Sequence, residues 1–169
     1  MKTPEELTDL FHQTGRRITA QRQCVFRILE HNETHPSADQ IYVEAMKRLG
    51  TVSLKTIYQT LNDLTELGEI SLLQLGTGQA RFDPNIEAVH HHLVCRMCGT
   101  IIDLHVDIDS PKLPPNANHG FDVERAEIVF KGVCPDCKNK KTRRNNITKT
   151  HEGKRPRKKL SKTTKFQIN

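Results

Sequence analysis

Two Cys-x-x-Cys pairs, Cys95-Arg96-Met97-Cys98 and Cys134-Pro135-Asp136-Cys137, constrain this chain more than any other feature. Two thiolates of one such turn reach a single ion, and two turns together supply the four sulfur ligands of a closed structural zinc site. The 35 residues between them (99 to 133) exceed the usual ribbon spacing, so a folded segment must bring the pairs together. Structural zinc stabilises small domains by many kcal/mol, so stripping it should unfold residues 93–137. A thioredoxin-like redox pair is the competing use of this motif; two pairs and no βαβ pattern favour zinc. Unpaired thiols also presuppose a reducing compartment. No stretch approaches the roughly 18 apolar residues that cross a bilayer, and Met1 to Glu6 lacks the apolar core of a secretory signal. We therefore expect a cytoplasmic protein without membrane contact. At 169 residues it has room for one or two small domains and not for a large enzyme.

The first eighty residues carry the punctuation of four short helices. Thr3-Pro4-Glu5-Glu6 is a capping box with proline at the first helical position, and Gly15 ends that helix. Thr19 caps the second, with Val25, Ile28 and Leu29 as its apolar stripe and Cys24 beside them as a core thiol. Ser37 to Gln40 is a second capping box, opening a helix with Ile41, Ala45 and Leu49 inward before Gly50. Ser53 caps the fourth, with Ile57, Leu61, Leu64 and Leu67 inward and Gly68 closing it.

After Gly68 the pattern becomes extended: Ile70 to Leu75, a Gly76-Thr77-Gly78-Gln79 turn, then Ala80-Arg81-Phe82, a β-hairpin signal. Short helices followed by a hairpin match a winged helix-turn-helix over residues 1–82, whose fourth helix would enter the major groove of double-stranded DNA. Lys55, Thr56, Tyr58 and Gln59 lie on its outward, N-terminal part and can reach phosphates and base edges. A solvated helix face on an ordinary helical domain is the plainer reading of the same residues.

Residues 83–92 form a polar connector ending in three histidines. From Leu93 strand-like runs return, at 93–95, 101–104 and 128–133, making a second, small α/β domain over residues 93–137. Pro111, Pro114 and Pro115 argue against a long helix between them. The fold class is thus α+β. Residues 138–169 hold thirteen of the 26 Lys and Arg but one acid, Glu152. This stretch has too few apolar residues to offset its ordering entropy and is expected to be a disordered basic tail, either merely solvated or attracted to nucleic-acid phosphate.

His90 and His92 are two apart at the entry to a strand, so both imidazoles face one way while His91 faces the other. Asp83, Asp103 and, more distantly, His35 are candidate companions. Imidazoles and carboxylates without thiolates suit iron(II), manganese(II), zinc or nickel rather than copper(I). A histidine triplet is also common in plain polar loops.

The order of these features, with His90-His91-His92-Leu93-Val94-Cys95-x-x-Cys98-Gly99 and Cys134-x-x-Cys137, resembles the ferric uptake regulator (Fur) superfamily over about residues 7 to 140. The segments Gly15 to Arg22, His35 to Tyr42, Val52 to Tyr58 and Arg81-Phe82-Asp83 support it. The resemblance implies a homodimeric, metal-dependent transcriptional repressor in which the second domain dimerises, with zinc on Cys95, Cys98, Cys134 and Cys137, and with Arg17 joining Lys55, Thr56, Tyr58 and Gln59 in DNA contact. The chain looks most like the peroxide-responsive PerR branch. By motif, that likeness places a regulatory iron(II) or manganese(II) on His35, Asp83, His90, His92 and Asp103, where iron-sensing relatives tend to have Glu at the positions of Asp83 and Asp103. A further metal site of those relatives is absent, with Val89, His91 and Ala126 where ligands would be needed. One extra residue separates Asp83 from His90.

Under this resemblance, one ion would join the two domains and select the DNA-competent shape, an equilibrium that about 5.5 kcal/mol of differential affinity moves from 1:99 to 99:1. Two recognition helices would then read a palindromic operator. Peroxide reacting at bound iron(II) would oxidise His35 or His90 and free the DNA. The alternatives are a sensor of iron, zinc or manganese availability within the same superfamily, and, from another class, a metalloenzyme. Against the enzyme, no His-Glu-x-x-His helix or evident general base accompanies the cluster.

Overall fold

The structure is a computed structural model that describes residues 1–76, 78–86, 90–106, 108, 113–114, 117–123, 126 and 128–140. The chain divides into two compact units, Met1–Val133 and Cys134–Asn169.

Four helices open the first unit: α1 (Pro4–Gln13), α2 (Ala20–Leu29), α3 (Ala38–Leu49) and α4 (Leu54–Glu66). Each begins where a hydroxyl satisfies an otherwise unpaired amide, on Thr3, Thr19, Ser37 and Ser53. The boxes at Thr3/Glu6 and Ser37/Gln40 are reciprocal, side chain to backbone both ways. Gly50, at φ +70°, ends α3 in the left-handed conformation that a side chain disfavours. Leu7, Phe11, Val25, Phe26, Leu29, Ile41, Ala45, Ile57, Leu61 and Leu64 form a fully buried core among these helices. The stripes expected on α2 to α4 are therefore its inner faces, with Leu49 and Leu67 packed at the margin. Cys24 joins the core, and burial pushes its thiol pKa up, against the weaker opposing influence of Arg48 and Arg27.

Strands β1 (Ser71–Leu73) and β2 (Arg81–Asp83) pair antiparallel as the wing, Leu72 opposite Phe82. The four helices and the hairpin make a winged helix-turn-helix. A three-stranded sheet follows in the order β4-β3-β5, from β3 (His91–Cys95), β4 (Ile101–Leu104) and β5 (Val129–Gly132). β3 and β4 are antiparallel across the first Cys-x-x-Cys turn, whereas β5 runs parallel to β3. A parallel neighbour needs a long crossover, which is why so many residues separate the cysteine pairs. The register sets Cys95 beside Gly132, two residues short of Cys134. Phe121 lies outside the strands and is 73% exposed.

In the second unit, residues 135–140 are helical, so 138–140, assigned to the basic tail from sequence, belong to a helix instead. The tail from 141 onward lies outside the described residues, as does Val89. Among the described residues no helix is long and apolar enough to cross a membrane.

Candidate metal centre

Five donors from four stretches of the first unit converge. His35 comes from the loop before α3, Asp83 ends β2, His90 directly precedes β3, His92 lies in β3 and Asp103 lies in β4. The ladder explains part of this: His92 and Asp103 are cross-strand partners, so their side chains share a face. The extra residue before His90 does not part it from Asp83, since His90 Nε2 lies 3.0 Å from Asp83 Oδ2. His35 Nε2 lies 2.7 Å from Asp103 Oδ1 and 3.6 Å from Asp83 Oδ1, and the Nε2 atoms of His90 and His92 are 3.2 Å apart. All five donor atoms fall within 4.8 Å of one another.

The donors are shielded from water, with His35 fully buried and Asp83 and His92 nearly so. His35 Nε2 and Asp103 Oδ1 are both buried with no hydrogen bond of acceptable geometry, despite their short separation. Buried polar atoms are rarely left so, and a pair aimed at a common point instead of at each other is what ligands of one ion present. Electrostatics prepares the same state. Burial lowers the His35 pKa, outweighing the attraction of Asp83 and Asp103, so its imidazole stays neutral with a lone pair to give. Burial opposes ionisation of Asp83, but His92, the Asn85 amide, His35 and His90 together hold its carboxyl below the ordinary value, leaving it a carboxylate. Three imidazoles with two carboxylates fit iron(II) or manganese(II).

Two residues that the sequence reading overlooked orient these ligands. Asn85 donates its amide N–H to Asp83 Oδ1 at 2.8 Å and its side-chain Nδ2 to Asp103 Oδ2 at 3.0 Å, fixing both acids. The Asp83-x-Asn85 spacing of a side-chain turn is a local signal for the first bond; nothing local marks the second. Arg81 donates to the His35 carbonyl at 3.3 Å.

The thiol donors are Cys95 and Cys98 in the first unit and Cys134 and Cys137 in the second. Cys95 ends β3 and Cys98 lies in the turn after it, where the Gly99 amide donates to the Cys95 carbonyl at 2.9 Å and Gly99 takes φ +72°. Gly99 is the residue a non-glycine would strain. In the second unit, Cys134 and Cys137 bracket the first helical turn, with the Lys138 amide donating to the Cys134 carbonyl at 3.0 Å. Four thiolates are the soft donor set of structural zinc.

On α4 Lys55, Tyr58 and Gln59 are exposed, and Arg17 is exposed between α1 and α2. Thr56, expected to face outward, is half-buried, its hydroxyl 2.8 Å from Ser53 Oγ at the helix cap.

Comparison with known proteins agrees with this architecture. The model of the ferric uptake regulator family matches residues 13–131. The peroxide-responsive repressor PerR of Staphylococcus epidermidis (strain ATCC 12228 / FDA PCI 1200) is 34% identical over 135 residues, 79% of this chain and 89% of its own. A solved zinc-bound manganese uptake regulator superposes with a TM-score of 0.59 at 28% identity, over 79% of this chain and 99% of that one. The ferric uptake regulator Fur of Helicobacter pylori, at 21% identity, shares the fold with a TM-score of 0.63 over 82% of this chain and 97% of its own. The chain belongs to the ferric uptake regulator family, whose members are metal-responsive, DNA-binding transcriptional repressors and not enzymes.

Proposed function

We propose that this protein is a cytoplasmic, peroxide-sensing repressor that binds palindromic operator DNA as a homodimer and lets go when a histidine ligand is oxidised. The observation that carries the reading is the convergence of His35 and Asp83, from the loop before α3 and the wing, with His90, His92 and Asp103 of the following segment. An ion held by all five ties residues 1–82, the DNA reader, through the hinge 83–92 to residues 93–137, the dimerising part. Zinc on Cys95, Cys98, Cys134 and Cys137 stabilises the latter. Lys55, Tyr58 and Gln59, with Arg17 and to a lesser degree Thr56, supply the DNA contacts.

The outer face of the three-stranded sheet supports dimerisation. Ile102, Leu93 and Phe130 stand side by side in register and are 52%, 41% and 41% exposed, an apolar row that a second copy would cover.

Iron(II) bound here supplies the reduction of hydrogen peroxide that generates an oxidant. The chain's part is to keep the His35 imidazole neutral and the donors buried beside it, so that oxygen is added to a histidine before the oxidant escapes. His35 and His90 are the targets. Loss of either imidazole removes a ligand from the tie, and the reader is no longer held. Asp at 83 and 103, and likeness to PerR repressors over most of the chain, favour this chemistry. Similarity to the solved manganese uptake regulator favours the second reading, a sensor of metal availability. Mass spectrometry of iron-loaded protein after a stoichiometric dose of H2O2 separates the two. Peroxide sensing predicts one added oxygen atom on a peptide containing His35 or His90, absent from manganese-loaded protein. Unmodified histidines with unchanged operator binding would leave the availability sensor.

A further inference from the structure

The Arg81 guanidinium reaches three acceptors supplied by three separate stretches. Nη1 donates to the His35 carbonyl at 3.3 Å and to Gln40 Oε1 at 2.8 Å, and Nη2 donates to the Gly99 carbonyl at 3.4 Å. None is a carboxylate. Each has a place in the framework of a metal site. His35 is a donor held at φ +49°, a left-handed conformation that a non-glycine residue keeps only where its surroundings enforce it. Gln40 Oε1 also accepts from the Ser37 amide at 2.8 Å, closing the capping box that fixes the start of α3. Gly99 belongs to the turn carrying Cys95 and Cys98.

The next residue adds a second fastening, since the Phe82 amide donates to the Pro36 carbonyl at 3.0 Å. The wing strand thus grips the His35–Pro36 backbone from two consecutive residues. Of these, Arg81 alone also reaches the thiol turn. A planar fork of five N–H donors suits three acceptors at once; an ammonium group matches one or two of them.

We propose that Arg81 is a positioning residue of the regulatory metal site, fixing the His35 backbone against the turn that holds Cys95 and Cys98. Through it the affinity of the His/Asp site depends on the state of the thiol turn. Without the guanidinium, the strained His35 backbone relaxes and Nε2 loses its aim at the point it shares with Asp103 Oδ1. The inference rests on the five-donor site being the regulatory one.

The test is calorimetric titration of zinc-loaded, full-length protein with Mn(II), comparing wild type with Arg81→Met, Arg81→Lys and His92→Ala. Arg81→Met should weaken Mn(II) binding by about ten- to a hundredfold, the usual effect of removing a group that orients metal ligands, and Arg81→Lys should weaken it less. Zinc content and helix signal should stay at wild-type levels in both. Co(II) absorption bands in the same site should shift in Arg81→Met, a change of ligand geometry that general destabilisation would not produce. Wild-type affinity and bands in both Arg81 variants, with binding lost in His92→Ala, would overturn this inference and leave the site reading standing. Loss of zinc or helix in both Arg81 variants would make Arg81 a residue of the fold and overturn it equally. Undiminished binding in His92→Ala would bring down the site reading, and this inference with it.

Discussion

His35 and Asp83 show how single residues are prepared for a ligand before it arrives. The imidazole is buried enough to remain neutral, and the carboxyl is surrounded by enough donors to remain ionised. Both states are the ligand forms, so binding needs little proton release from either. Asp83 is also short. Replacing it by Glu adds one methylene at a buried position where Asn85 and His90 already touch the carboxylate at 2.8 and 3.0 Å. Asp83→Glu should keep metal-dependent operator binding but blunt oxidation. Iron-loaded variant in a mobility-shift assay should stay on DNA at a peroxide dose that releases wild type; release at the same dose would remove the argument that the short acid matters. His90, His92 and both acids were legible from residue type and spacing. Arg81 and Asn85 were not, because their partners lie up to 46 and 18 residues away, and no local pattern records such contacts.

At the scale of elements, helix starts were the most readable feature, because an N-cap hydroxyl answers a purely local need. Thr3, Thr19, Ser37 and Ser53 all sit where the sequence put them. Ser37 has a further consequence: its capping partner Gln40 also holds Arg81. Ser37→Ala should cost about 0.5–2 kcal/mol in denaturant unfolding. It should also weaken Mn(II) binding; a stability loss with Mn(II) affinity unchanged would show that the cap and the site are independent. The parallel pairing of β3 with β5 could not be read from the chain, since strand direction depends on a crossover and not on side-chain alternation. Thr56 was misjudged for a related reason: helical periodicity faced it outward, while its position at the third residue of α4 turned its hydroxyl to the Ser53 cap.

For the whole molecule, charge and apolar surface divide the labour. The basic residues concentrate toward the C-terminus, and residues 1–137 hold thirteen Lys and Arg against nineteen acids. The proposed DNA contacts therefore depend on local placement of charge, as at Arg17 and Lys55. Leu93, Ile102 and Phe130 are cross-strand neighbours and exposed on one face of the sheet. Phe130→Asp should shift the zinc-loaded protein from dimer to monomer in analytical ultracentrifugation and remove operator binding; a persistent dimer would place the contact elsewhere.

In the function proposed, one ion is held jointly by the loop before α3, the wing and the three-stranded sheet. A crystal of the zinc-loaded protein grown with Mn(II), measured at the manganese absorption edge, tests it most directly. One anomalous peak per chain is expected among His35, Asp83, His90, His92 and Asp103, separate from zinc. Manganese bound away from His35, or no manganese at all with these side chains still hydrogen-bonded to one another, would contradict it.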